Sequence, residues 1–191
     1  MHDEGMPFDD NAALIVIDVQ QGFDDPVMGA RNNPEAEANI ARLTTVWADA
    51  ARPIVLVRHD SASPGSPLAA GSAGNALKDV VAGVPHELLV TKQVNSAFYG
   101  EPDLQGWLEA RGIRQLVICG IQTNMCVETT ARMGGNLGFE VLVPIDATHT
   151  FDMAGPGGLR LSAEELARAT AVNLDGGGFA RVVSTDEMLG A

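Results

Sequence analysis

Three side chains of unlike chemistry stand where short apolar runs give out: a carboxylate, an ammonium and a thiol. Asp18 closes the run ALIVIDV, Lys92 follows ELLVT, and Cys126 lies a few residues beyond LVICG. Charge set into an apolar core is costly unless paired, so Asp18 and Lys92 each require a partner. Taken singly, an aspartate at a strand end caps or anchors a loop, and a lysine there points to solvent. Cys126 has the stronger local case. The segment GIQTNMC, residues 120–126, passes from a strand into a helix, with Thr123 or Asn124 as the natural cap. Cys126 then falls in the first helical turn, where free N–H groups and the positive end of the dipole favour a thiolate. The same N–H groups could hold an oxyanion on an attacked carbonyl. The plain alternative is a small buried apolar residue, and Cys119, inside its strand, is read that way.

The elements that must position these residues alternate along the chain. Ala13 to Val19 is a nearly continuous apolar run, the pattern of a strand covered on both faces. Asn33, Pro34 and Glu35 offer a helix start, and Ile40, Leu43, Val46, Trp47 and Ala50 follow at helical spacing. Pro53 ends that helix, and Ile54 to Val57 begins a second strand. Glu87 to Val94 reads as a third strand, Asp103 to Arg111 as a helix stopped by Gly112, and Gln115 to Cys119 as a fourth strand. Thr123 to Leu137 reads as a helix and Phe139 to Val143 as a fifth strand. Ser162 and Glu165 have the spacing of a capping box that opens another helix, and Ala180 to Val183 is a sixth strand. This alternation predicts an α/β fold: three layers, α/β/α, Rossmann-like, around a central, mostly parallel six-stranded sheet. In such sheets ligands bind beyond the carboxyl ends of the strands, where the strand order switches. Asp18, Lys92 and Cys126 are all assigned to such ends.

Composition narrows the class. The 191 residues suit one domain, 1–191, and 46% of them are apolar. The formal net charge of −13, from 25 acidic and 12 basic side chains, with no Lys/Arg run, argues against nucleic acid or an anionic membrane as partner. No apolar run approaches the roughly 18 residues of a membrane span. The acidic opening MHDEGMPFDD predicts no secretory leader. Two cysteines without a framework are expected as free thiols in a reducing cytoplasm. Neither a G-x-S-x-G nor a phosphate-loop motif is present.

Three stretches, ALIVIDVQQGF, TKQVNSAFYG and VICGIQTNMCVETTARMGGNLGFEVLVPIDATHTF, span almost the whole chain. In order and content they resemble the isochorismatase-like cysteine hydrolase superfamily, which includes nicotinamidases, N-carbamoylsarcosine amidase and isochorismatases. The third stretch is the specific one, because cysteine, helix, strand and Asp146 keep the family order and spacing. The resemblance implies Cys126 as nucleophile, Asp18 as general base and Lys92 as support for both. It also implies a cis peptide between Ile121 and Gln122, and an oxyanion hole from the backbone N–H groups of Gln122 and Cys126.

Around this triad, Phe23, Phe98 and Phe151 are expected as aromatic walls, and Asn95 and Tyr99 as polar contacts to a small-molecule substrate. The loop 60–75 and the glycines of 155–158 are expected as lid or rim. Family likeness further implies a homo-oligomer, dimer or tetramer. Nicotinamidase-type relatives hold a metal through an Asp, a His two residues on and a further His. Here the matching VRHDS, residues 57–61, lacks that order, and His2, His59, His86 and His149 are scattered. No metal and no cofactor are expected, and His59 is expected to line the site or bond locally. The implied reaction is hydrolysis of a C–N bond in a small amide, ureido or lactam compound. Vinyl-ether cleavage of the isochorismatase kind is the alternative within the enzyme class. A non-catalytic or thiol-redox protein on the same fold is the alternative outside it, although redox sensing would want a resolving cysteine beside Cys126.

Overall fold

The alternating runs assemble into one parallel sheet with helices on both faces. In chain order the elements are β1 (Ala13–Ile17), α1 (Ala36–Asp49), β2 (Ile54–His59), α2 (Asp79–Ala82), β3 (Leu88–Lys92), α3 (Leu104–Ala110), β4 (Gln115–Ile121), α4 (Glu128–Asn136) and β5 (Glu140–Pro144). There follow the two-residue strands β6 (Thr148–His149), β7 (Met153–Ala154) and β8 (Arg160–Leu161), then α5 (Ala163–Gly176), β9 (Arg181–Val183) and α6 (Thr185–Leu189). The computed structural model describes residues 8–190. His2 and most of the acidic opening, which carries the expectation of no leader, lie outside them. No described helix is long and apolar enough to cross a membrane.

The strands lie in the order β3-β2-β1-β4-β5-β9, every pair parallel, with β6 added beside the end of β4. From β1 the chain builds outward through β2 and β3, then returns to the other side of β1 to lay down β4, β5 and β9. The order therefore switches between β1 and β4. Asp18 follows β1 and Cys126 follows β4, so both stand at the crevice this topology opens.

Strand alternation sends successive side chains to opposite faces. Leu14 and Val16 of β1 pack with Ile40, Leu43 and Trp47 of α1, while Ala13, Ile15 and Ile17 pack with Leu104 and Leu108 of α3, Val127, Ala131 and Leu174. Both faces are buried, which is why these strands read as unbroken apolar runs. On α1 the buried stripe at 40, 43, 44 and 47 follows the helical period, and the Trp47 indole N–H donates to the Ala12 carbonyl at 2.9 Å. Ser162 and Glu165 form the expected capping box on α5.

Besides shifts of one or two residues at other strand ends, three local expectations differ from what is observed. Asn33 does not cap α1. It takes a left-handed conformation (φ 48°), and its amide donates to the carbonyls of Asp146 and Thr148 at 2.7 and 2.6 Å. Those distant acceptors outcompete a local cap. The expected helix Thr123 to Leu137 divides into a π-helical turn, Thr123–Val127, and α4, with no side-chain cap at either start. β1 stops at Ile17, before the expected Val19, because Asp18 leaves the strand with φ 49°.

Candidate active site

Asp18, Lys92 and Cys126 converge at the carboxyl edge of the sheet. The Asp18 N–H still donates to Val57 of β2 at 2.9 Å, but its positive φ then turns the chain away. Lys92 is the last residue of β3, one strand removed from β1, and its side chain reaches across the end of β2. Its Nζ lies 2.5 Å from Asp18 Oδ2, and both side chains are wholly buried. The same Nζ sits 3.2 Å from His59 Nδ1, and His59 is the register partner of Lys92 across β2 and β3. Asp18 Oδ1 has no hydrogen-bond partner among the described residues. Donor atoms of Asp18, His59 and Cys126 all lie within 4.8 Å of one another. The Cys126 thiol is 8% exposed and donates to Asn95 Oδ1 at 3.8 Å.

The segment that presents Cys126 is shaped by close backbone approach. Gly120 has φ +122°, and a Cβ there would fall 2.0 Å from the Ile17 carbonyl oxygen, so only glycine lets β4 run this close to the end of β1. The Ile121–Gln122 peptide is cis, as the resemblance implied. The Gln122 carbonyl then accepts from both Met125 and Val127, at 3.1 and 3.2 Å, which closes the widened turn around the thiol. Thr123 and Asn124 look outward from this turn. Thr123 Oγ1 donates to Thr148 Oγ1 at 2.8 Å, and the Thr150 hydroxyl donates to Asn124 Oδ1 at 2.5 Å.

Burial dominates the protonation of the pair. It raises the Asp18 carboxyl above the ordinary aspartate range, and the ammonium of Lys92 only partly offsets it. Burial also pushes the Cys126 thiol up to about 12, with the Asp18 charge adding to the rise and Lys92 opposing it. The thiolate expected from a helix start is therefore not the resting form. Desolvation outweighs the turn's dipole, and the site at rest holds a neutral thiol beside a base stronger than free aspartate. Burial and the Lys92 charge together depress His59, which is neutral at physiological pH.

The remaining expected residues differ in their surroundings. Asn95 is exposed and touches the thiol. Tyr99 is exposed and borders a cavity of about 380 Å³ beside β3, with Lys92, Val94, Asp60 and Glu101 on its walls. Phe98 packs on Phe139, with ring centroids 5.9 Å apart. Phe23 and Phe151 are buried and stack on each other at 6.2 Å, with His149 edge-on to Phe151. The loop 60–75 packs on the segment after β1, where Pro67 leaves no room for a side chain at Gly22.

Residues not foreseen as site builders hold the arrangement. The Gln20 amide is buried, donates to the carbonyls of His59 and Asn75 at 3.0 and 2.9 Å, and accepts from the His59 N–H at 2.8 Å. Asn75 donates to the same His59 carbonyl at 3.0 Å. A buried polar residue directly after the apolar run, as Gln20 follows ALIVIDV, was the available signal. Asp18, His59 and Cys126 are close enough for one cation to bridge, yet Lys92 already lies against two of the three and fills that electrostatic role.

A family model for the isochorismatase domain matches residues 12–185. An isochorismatase-family protein of known structure from Chromobacterium violaceum is 40% identical, with a TM-score of 0.89 over 96% of this chain and 94% of that one. Nicotinamidase 3 of Arabidopsis thaliana is 32% identical over 191 residues, 93% of this chain and 86% of the relative. Ureidoacrylate amidohydrolase RutB of Methylorubrum extorquens is 33% identical over 198 residues, 84% of this chain and 77% of the relative.

Proposed function

The chain belongs to the isochorismatase family of hydrolases, and within it we propose that this protein is a cysteine-dependent amidohydrolase that cleaves a C–N bond of a small amide, ureido or lactam compound. The observation that carries this reading is the wholly buried Asp18–Lys92 ion pair set against the Cys126 thiol. A pair of this kind is costly to bury, and a carboxylate with one unpartnered oxygen beside a thiol has the form of a base awaiting its proton. Amide-cleaving relatives support the same direction.

The steps follow from the protonation states. Asp18 takes the thiol proton as Cys126 Sγ attacks the carbonyl carbon, so the thiolate exists only in the act of reacting. Lys92 holds Asp18 in place and balances the negative charge passing between carboxylate and sulfur. Backbone N–H groups of Gln122 and of Cys126, which lies in the widened turn, hold the developing oxyanion. The C–N bond breaks as Asp18 returns its proton to the leaving nitrogen, and a thioester remains on Cys126. Water, losing a proton to Asp18, hydrolyses that thioester, and the departing sulfur recovers the proton. No step calls on a cofactor. Asn95, beside the thiol, and Tyr99, at the neighbouring cavity, are the proposed polar contacts to substrate. Phe23, Phe98 and Phe151 are the proposed aromatic walls.

The test is ammonia release from a panel of small primary amides and ureido acids, run for wild type beside Cys126→Ala. Release by wild type that is lost in the variant, and persists in chelator, is the expected result. Equal release by both proteins would remove Cys126 as nucleophile and the reading with it.

A further inference from the structure

We propose that His59 is a positioning residue, a neutral imidazole whose Nδ1 lone pair seats the Lys92 ammonium on Asp18 and which disarms the site when it takes up a proton. The inference rests on the triad reading above but concerns a residue outside the triad. Lys92 Nζ carries only hydrogens, so its 3.2 Å contact with His59 Nδ1 requires a lone pair there, and the ring proton must then reside on Nε2. The contact is built into the sheet. His59 and Lys92 stand opposite each other in the β2–β3 register, and the next N–H, of Asp60, donates to the Lys92 carbonyl at 2.8 Å. Gln20 binds both the N–H and the carbonyl of His59, and Asn75 binds the carbonyl again. The main chain that carries the imidazole is thus fixed beside Lys92 by groups that have no part in the reaction. Without it, an ammonium on a long flexible stem would lose one of the contacts that hold it on Asp18.

The charges facing the ring set the sign of its pH response. Lys92 faces it from β3, Asp18 from the end of β1, and the Cys126 thiol from beyond β4. Asp60 adjoins it on its own segment, already paired with Arg58. Burial first, and then Lys92, hold the imidazole below its ordinary 6.5, while Asp60 opposes them weakly. As pH falls through this depressed value, Nδ1 gains a proton and loses its lone pair. Two cations then confront each other at 3.2 Å, and the extra positive charge weakens Asp18 as a base. Activity is full above the imidazole transition and declines below it.

The test has two independent arms. In the first, long-range ¹⁵N–¹H correlation spectra of the labelled protein assign the His59 ring by its loss in His59→Asn. An unprotonated Nδ1 at neutral pH and a titration midpoint below 6.5 are expected. A protonated Nδ1 at neutral pH would overturn the proposal. In the second, pH profiles of kcat and KM are compared for wild type, His59→Ala and His59→Asn on an amide that wild type hydrolyses. His59→Ala should lose roughly tenfold to a hundredfold in kcat, the worth of one hydrogen bond to a charged group, with KM little changed. His59→Asn, whose Oδ1 replaces the Nδ1 acceptor without titrating, should recover most of that loss and lack the acid-side decline. A His59→Asn enzyme as slow as His59→Ala, or one that keeps the wild-type acid limb, would overturn the proposal. If wild type hydrolyses no amide, the functional reading fails while the spectroscopic arm still decides the His59 tautomer.

Discussion

A thiol pushed up to about 12 is almost entirely S–H at neutral pH, so the proposed reaction of Cys126 relies on Asp18 as base and not on standing thiolate. Iodoacetamide should therefore modify Cys126 slowly at pH 7 and progressively faster toward alkaline pH, with no plateau near neutrality. Peptide mass spectrometry would read this, and a rate already maximal below pH 8 would contradict it. Cys119, fully buried in β4 and raised further still by burial, should stay unmodified until the protein unfolds. Lys92 carries a second prediction at this scale. Lys92→Met strands Asp18 in the core without its counter-ion, at a cost of about 3 kcal/mol near neutral pH, the lower end for a broken buried pair. A carboxyl whose folded pKa lies above its unfolded value loses stability as pH rises, so this variant should regain part of the loss on acidification. Denaturant midpoints at pH 5 and pH 7.5 would measure the difference.

Among the elements, the β4-to-α4 passage is the most constrained part of the candidate site. It contains the close approach at Gly120, the cis peptide and the widened turn that presents Cys126. Gly120→Ala combines a positive φ with backbone overlap, and neither can relax without separating β1 from β4. A loss of at least about 3 kcal/mol is expected, with the soluble fraction and melting temperature as readouts. A melting temperature within a degree or two of wild type would mean that the strand ends can part. The helices were legible where period and caps agreed, as on α1 from Ile40 to Trp47 and at the Ser162 capping box of α5. They were misread where a distant acceptor captured the expected cap. Asn33 is taken by the carbonyls of Asp146 and Thr148, more than a hundred residues on. Local propensity cannot register partners a hundred residues away.

Across the whole molecule, the loop after β1, the segment before α2 and the start of α1 are tied together by one charged cluster. Lys78 is nearly buried and meets Asp24 at 2.6 Å and Glu37 at 2.8 Å, while Arg31 grips Glu37 with both its terminal nitrogens. Burial alone would raise the Glu37 carboxyl, but Arg31, His149 and Lys78 more than reverse it and hold it far below the ordinary 4.5. Stability linked to Glu37 is thus present above that value and lost as pH falls below it. Glu37→Gln should cost about 3 kcal/mol at neutral pH by leaving Lys78 and Arg31 underpaired. It should also flatten the acid-side decline, and urea midpoints from pH 7 down to pH 3 would show both effects. An unchanged slope below pH 4.5 would move acid sensitivity elsewhere.

What the amino-acid sequence determined by itself was the alternation of elements, the two-sided burial of the strands and the residue types at their carboxyl ends. Period, turn residues and the cost of burying charge are local properties, and they marked Asp18, Lys92 and Cys126 as candidates whose roles only the family resemblance supplied. The resemblance carried by the stretch around Cys126 added the cis peptide after Ile121. Only the tertiary structure decided that Lys92 crosses β2 to reach Asp18, that His59 stands against it, and that Gln20 and Asn75 fix that histidine. The desolvation that pushes the Cys126 thiol up to about 12 is likewise a tertiary effect. The physical reason is common to all of these. Strand order, register and desolvation depend on which distant segments become neighbours, and a side chain's pKa follows the dielectric and charges those neighbours create.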